Sequence, residues 1–198
     1  MSSVECEESD VIVSLRGTHS SGKTTVVKNL LAASKIKPKP IYGVLGPRLP
    51  EAYQLQIPKK SKPLFVIGPY IGVPTSGADV VTTGGFDVLI SLIDKYHKKG
   101  HVLYEGILVS SNYGSVGEYL FSQKKDVVVA FLDTPLEVCL EGLKTRQLTA
   151  VSKGKDDTHL REHFKRIFRV RDRMEGFGFR TETVSRESAA EKILSWLV

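Results

Sequence analysis

Long apolar runs are missing from this chain of 198 residues. The longest, Val127 to Leu132, is six residues closed off by Asp126 and Asp133, far short of the roughly 20 that a membrane helix needs. Cysteine is almost missing as well. Cys6 and Cys139 are the only two, which excludes a disulfide framework and points to a reducing, cytoplasmic setting. Glu5, Glu7, Glu8 and Asp10 do not read as a secretory signal, so residues 1–10 are expected to be a flexible acidic tail. Internal repeats are lacking, and no heptad or conspicuous apolar stripe argues for a dimer. What remains is ordinary globular material, 41% hydrophobic and 25% charged, of a length that fits a single domain over residues 1–198.

The net charge of +6 is unevenly spread. Residues 34–63 sum to +6, from Lys35, Lys37, Lys39, Arg48, Lys59, Lys60 and Lys62 against Glu51, and residues 144–180 sum to +6 again. The remainder is net acidic. Basic windows of this kind are either solvated faces or the footprint of a polyanion, and they favour the polyanion if both flank one site.

Short apolar runs alternate with helical patterns. Strands are expected at 11–15, 41–45, 64–67, 101–104 and 127–132, each rich in Val, Ile, Leu and Phe without polar alternation, as strands buried on both faces should be. Helices are expected at 23–34, 88–99, 116–123, 135–146, 159–174 and 187–197. The fourth has start signals in Thr134, Pro135 and Glu137. In the fifth, Leu160, Phe164, Ile167, Arg171 and Met174 share a face. Alternation of this kind predicts an α/β three-layer sandwich with a parallel sheet of about five strands. The Pro-rich stretch 35–62 reads as a long functional loop holding one strand. The stretch 147–158, with Gly154 between Lys153 and Lys155, reads as a mobile lid.

Gly17-Thr18-His19-Ser20-Ser21-Gly22-Lys23-Thr24 fits the phosphate-loop pattern of Gly, four residues, Gly, Lys and Ser or Thr. An expected strand precedes it and an expected helix follows. The spacing has a chemical reason. Glycines let the amides of residues 17–25, including His19, Ser20, Ser21 and Thr25, turn inward around phosphate oxygens, and the following helix points its positive end at them. Lys23 then reaches the terminal phosphates, and the Thr24 hydroxyl is placed for magnesium. The guanine-reading Asn-Lys-x-Asp signature of GTPases is missing, and the chain is too short for the extra domain of an oligomeric ATPase. These residues point to a small ATP- and magnesium-dependent phosphotransferase.

Two carboxylates are candidates for the transfer. Glu105 ends the expected strand 101–104, at the sheet edge where ligands bind. It is placed to hold magnesium through water or to accept the acceptor's proton. Asp79 follows the strand 64–67 after a Gly- and Pro-rich segment that suits either an acceptor pocket or a surface turn. Arg146, at the end of a helix and the start of the lid, suits charge neutralisation during transfer, or simply a helix C-terminus.

Several segments together resemble the bacteriophage 5-hydroxymethyluracil DNA kinases, P-loop kinases related to thymidylate and deoxynucleoside kinases. They are the phosphate loop, Pro74-Thr75-Ser76-Gly77-Ala78-Asp79, Leu103-Tyr104-Glu105-Gly106-Ile107-Leu108-Val109-Ser110, and the run from Phe131 to Glu141. The resemblance covers residues 11 to about 146. It implies that ATP phosphorylates the hydroxymethyl group of a modified uracil already in DNA, inside the host cytoplasm. It makes Lys23, Asp79, Glu105 and Arg146 the catalytic set and Thr24 with Glu105 the metal set. Arg48, Tyr70, Asp79 and Tyr113 become substrate contacts, with Tyr70 or Tyr113 stacking on the base. Ser76 departs from an expected glycine. Gly142 and Gln147 stand where relatives often carry arginines, which leaves Arg146 as the main arginine near the lid. A kinase of free deoxynucleosides or their monophosphates is the competing reading, and a slow ATP-hydrolysing switch a third.

Overall fold

The computed structural model describes residues 10–58, 60–72, 77–148 and 157–197, with the backbone alone at 146–148. Seven strands form one sheet in the order β2-β3-β4-β5-β1-β6-β7. They are β1 (Ile12–Arg16), β2 (Lys39–Gly43), β3 (Gly46–Leu55), β4 (Leu64–Ile67), β5 (His101–Glu105), β6 (Val127–Leu132) and β7 (Arg180–Val184). Five of them, β4, β5, β1, β6 and β7, run parallel, whereas β2 and β3 form an antiparallel hairpin at one edge. The helices are α1 (Lys23–Ala32), α2 (Ala78–Val81), α3 (Phe86–His97), α4 (Ile107–Ser110), α5 (Gly114–Ser122), α6 (Leu136–Leu148), α7 (Asp157–Gly176) and α8 (Ala189–Trp196). No described helix is long and apolar enough to cross a membrane.

Alternation along the central strands sorts the core into two layers. Val13 and Leu15 of β1 pack with Val26, Val27 and Leu30 of α1 and with Ile193 and Trp196 of α8. Ile12 belongs to the opposite layer, with Leu89 and Ile93 of α3, Leu120 of α5 and Ile167 of α7. Burying both faces is why these strands read as unbroken apolar runs. The three-layer sandwich and its five parallel strands agree with expectation, but the membership does not. The expected strand 41–45 is an antiparallel edge strand instead of a sheet member buried on both sides. The strands β3 and β7 went unpredicted: Pro47 and Pro50 disguise the first and alternating charge the second.

The prolines of β3 are tolerated because of where they fall. Ile67, the last residue of β4, pairs with Ala52, so residues 46–50 of β3 project past the end of β4 with only β2 beside them. Proline is at home where no second ladder is needed. An extra residue on β3, Glu51, breaks the register between Ile41 and Tyr42 and turns a fully buried carboxylate inward. It accepts bonds from the Val44 amide at 2.7 Å and from Lys95 Nζ and the Tyr96 hydroxyl at 2.5 Å. The hairpin tip is thereby tied to α3.

Three further expectations need correction. The helix α6 begins at Leu136, and the Thr134 hydroxyl donates to the Ser21 carbonyl at 2.8 Å instead of capping it. On α7 the buried positions are Leu160, His163, Ile167, Val170 and Met174, so His163 and Val170 replace Phe164 and Arg171 on the core face. The expected lid 147–158 is helical at both described ends, 147–148 in α6 and 157–158 in α7. Its remainder, with Lys153 and Lys155, lies outside the described residues, as do Lys59, residues 74–76 and the tail through residue 9.

Candidate active site

The phosphate loop leaves the carboxyl end of β1, flanked by the ends of β5 and β6. Its curvature rests on left-handed backbone at Ser20 (φ 58°) and Gly22 (φ 99°). At Gly22 that φ disfavours any side chain, and an added Cβ would also have to push aside the exposed Arg186 side chain, whose Cδ would lie 2.5 Å away. The helix α1 carries no acidic residue in its first turn, so its positive end is left to attract an anion. Lys23 is buried, and its ammonium donates to the carbonyls of Gly17 at 2.7 Å and Thr18 at 2.9 Å. The amide of Gly17 is held by Ser110 Oγ at 3.2 Å. The Thr134 hydroxyl pins the Ser21 carbonyl, and Gly142 of α6 approaches so closely that a Cβ there would meet that of Ser20 at 3.1 Å. A side chain at 142 would press on the loop, which accounts for glycine at a position where an arginine was expected.

Glu105 ends β5 almost wholly buried, and the Thr24 hydroxyl donates to its Oε1 at 2.9 Å. Gly77, at φ 88°, lies so near that a Cβ would stand 2.5 Å from the same oxygen. Asp79 is close by, but its carboxylate is committed. It accepts from the amides of Ile107 at 2.7 Å and Leu108 at 3.0 Å, and so caps α4 just beyond Glu105. Tyr70 is also buried, with its hydroxyl donating to the Ile67 carbonyl at 3.3 Å. Burial first, and then the carboxylates of Glu105 and Asp79, push this phenol well above its ordinary pKa, so it stays a neutral donor at any physiological pH.

Tyr70 and Ile71 also line an open cavity of about 640 Å³, walled on its other side by Lys28, Lys35 and Lys37. The resemblance implied that Tyr70 or Tyr113 stacks on the base. The structure puts its ring in the core, at the cavity wall, with its hydroxyl toward Glu105. Tyr113 is not at the cavity: its ring stacks on Phe177 at 4.8 Å under the Arg173 guanidinium, within the core of α5 and α7. Arg48 is exposed on the projecting part of β3. The side chain of Arg146 lies outside the described residues. Thr25 is exposed on the first turn of α1.

Residues that the sequence did not assign to the site, His163, His159 and Arg16, complete it around the loop. His163 of α7 meets Thr18 Oγ1 through Nδ1 at 3.0 Å, and the His19 ring packs 4.8 Å from that of His163 and 5.9 Å from that of His159. The ring of His19 thus faces α7, leaving the backbone to the loop. Arg16 is fully buried at the end of β1, bonded to Ser14 Oγ and the Asn112 carbonyl. Desolvation lowers its pKa, partly offset by neighbouring Tyr104. His159 and His163, four residues apart, share one helix face, a spacing visible in sequence. That this face meets the phosphate loop is not.

No protein-family model matches the chain. A 5-hmdU DNA kinase of Pseudomonas phage M6 is 27% identical over 186 residues, covering 91% of this chain and 94% of the relative. A 5-hmdU DNA kinase of Pseudomonas phage PaMx11 is 26% identical over 149 residues, 69% of each. A solved deoxyadenosine kinase from M. mycoides with bound dATP aligns with 93% of this chain and 98% of its own, at TM-score 0.40 and 13% identity, too distant to carry an argument. The resemblance read from the motifs therefore extends over nearly the whole length: this chain is similar to the phage 5-hmdU DNA kinases.

Proposed function

We propose that this protein is a kinase that transfers the terminal phosphate of ATP to the 5-hydroxymethyl group of 5-hydroxymethyldeoxyuridine in DNA. One observation carries the reading: Glu105 accepts from Thr24 of the phosphate loop on one side, and on the other its charge is felt by the phenol of Tyr70, which lines the basic cavity. A donor bound at the loop and an acceptor bound in the cavity would meet at Glu105. The loop amides and Lys23 grip the triphosphate. Glu105 takes the proton of the acceptor hydroxyl as its oxygen bonds to the γ-phosphorus, and the bond to the bridging oxygen breaks to release ADP. Thr24 and Glu105 are hard oxygen donors in contact, a set that suits magnesium, which when bound would neutralise charge on the phosphates. Asp79 holds the 106–108 turn against the site as a positioning residue. Arg146 is assigned to the transferring phosphoryl group by its place at the end of α6.

The test is label transfer from γ-labelled ATP and magnesium to hydroxymethyluracil DNA, ordinary DNA and free hydroxymethyldeoxyuridine or its monophosphate, each offered alone. Phosphate on the hydroxymethyl group of DNA, lost by about 10²-fold or more in Glu105→Gln, is the expected result. The cavity is also large enough for a single nucleoside, which favours a free-nucleotide kinase as the second reading. Label on the free species with DNA inert would decide for it.

A further inference from the structure

The hairpin at the sheet edge has a direction that bears on how a duplex would be handled. Ligands gather at the carboxyl ends of the parallel strands, and it is past this end that residues 46–50 of β3 project, beyond Ile67 of β4. Five residues of extended chain reach about 17 Å, so the hairpin stands out beyond the end of β4, and the segment leading into it, through Lys35, Lys37 and Pro38, lines the cavity. Ile41 packs into the layer of α3, so by alternation Pro40 and Tyr42 lie on the other face of β2, and Pro38, just before the strand, lines the cavity. At the outer end of that row Tyr42 is 51% exposed, followed at the tip by Val44, also exposed. Lys35, Lys37, Lys39 and Arg48 are all exposed along the same segment. Its lone acid, Glu51, is buried and paired with Lys95. An arm with exposed apolar residues at its tip and exposed cations on it and on the segment leading into it is poorly matched to a small nucleotide and well matched to a polyphosphate backbone with stacked bases.

We propose that the β2–β3 hairpin is a duplex-opening arm. Its cations hold the DNA backbone, and Tyr42 inserts into the base stack beside the target, taking up the space left when the modified nucleotide rotates into the cavity. A base inside a duplex cannot present its exocyclic hydroxyl to a buried carboxylate, so extrusion is required, and an inserted side chain offsets the lost stacking. The inference rests on the DNA-kinase reading above. It assigns to Tyr42 a role that matters for duplex acceptors and not for unpaired ones.

The experiment compares wild type, Tyr42→Ala and Tyr42→Phe on one hydroxymethyluracil oligonucleotide, offered as duplex and as single strand. Tyr42→Ala is expected to lose about tenfold or more in kcat/KM on the duplex and less than about twofold on the single strand, with the KM for ATP unchanged. Tyr42→Phe should retain duplex activity, because stacking needs the ring. A 2-aminopurine placed opposite the target should brighten when wild type binds and stay dark with Tyr42→Ala. Equal losses on both acceptors, or no loss on the duplex, would overturn the arm while leaving the DNA-kinase reading intact. Wild type inert on both acceptors would overturn that reading and the arm with it.

Discussion

Replacing Glu51 by glutamine tests how the arm is anchored. The glutamine is isosteric, so no cavity opens, but one of its two terminal atoms becomes a donor. Three donors converge on the wild-type carboxylate, from Val44, Lys95 and Tyr96. The amide must therefore face a donor with a donor, which costs about 1–3 kcal/mol in a fully buried position. The lost charge pairing adds less, because the Lys95 side chain is 45% exposed and returns to water. A loss of about 2–3 kcal/mol follows, which for a domain of this size lowers Tm by roughly 5–10 °C. Acid provides a second handle. Burial alone would raise the Glu51 pKa, but the Lys95 and Tyr96 hydrogen bonds, the Val44 amide and the Lys95 charge outweigh it, and the net shift is downward. A depressed folded-state pKa stabilises fully above the ordinary carboxylate value, and that contribution is lost as pH falls through the folded value. Thermal melts followed by circular dichroism should show wild type and Glu51→Gln well separated at neutral pH and converging in acid. A cost below about 1 kcal/mol, or a gap that does not change with pH, would refute the clamp.

Lys23→Ala should reduce phosphoryl transfer by at least about 10³-fold while the protein still melts cooperatively. Near-normal turnover would mean the loop does not bind phosphate. Gly77→Ala brings both an unfavourable φ and a Cβ that must displace the Glu105 carboxylate, so kcat should fall about tenfold or more while the KM for ATP holds, measured by steady-state kinetics. The Cys139 thiol is buried and its pKa is pushed up to about 11, mainly by desolvation. Iodoacetamide at mildly alkaline pH should leave it unlabelled in the native protein and label it only on denaturation, as read by peptide mass mapping. Rapid native labelling would show that this core opens.

The residues of the phosphate loop announced themselves because anion binding by backbone amides requires glycine, lysine and a hydroxyl at fixed spacing. Four of the five parallel strands could be read directly, since strands covered by helices on both faces form near-continuous apolar runs, whereas β7, with its alternating charge, could not. Membership in the sheet was harder. Residues 46–55 carry two prolines that no central strand would tolerate, and only their place in an overhang makes them a strand. Asp79 shows the same limit at the site. Its position after a strand suggested chemistry, but its carboxylate caps α4, a partner distant in sequence. Tyr70 and Tyr113 looked alike as candidate base contacts, yet one forms the cavity wall and the other sits under Arg173 in the core.

Local rules thus determined the phosphate-loop pattern, the layered α/β architecture and the excess of positive charge around residues 34–63, because these depend on periodicity, spacing and composition along the chain. Which carboxylate meets Thr24, which histidines back the loop, and which way the hairpin points were decided by tertiary structure alone. Each is a contact between segments tens of residues apart, set by sheet order and register, and no local pattern encodes the register of two distant strands.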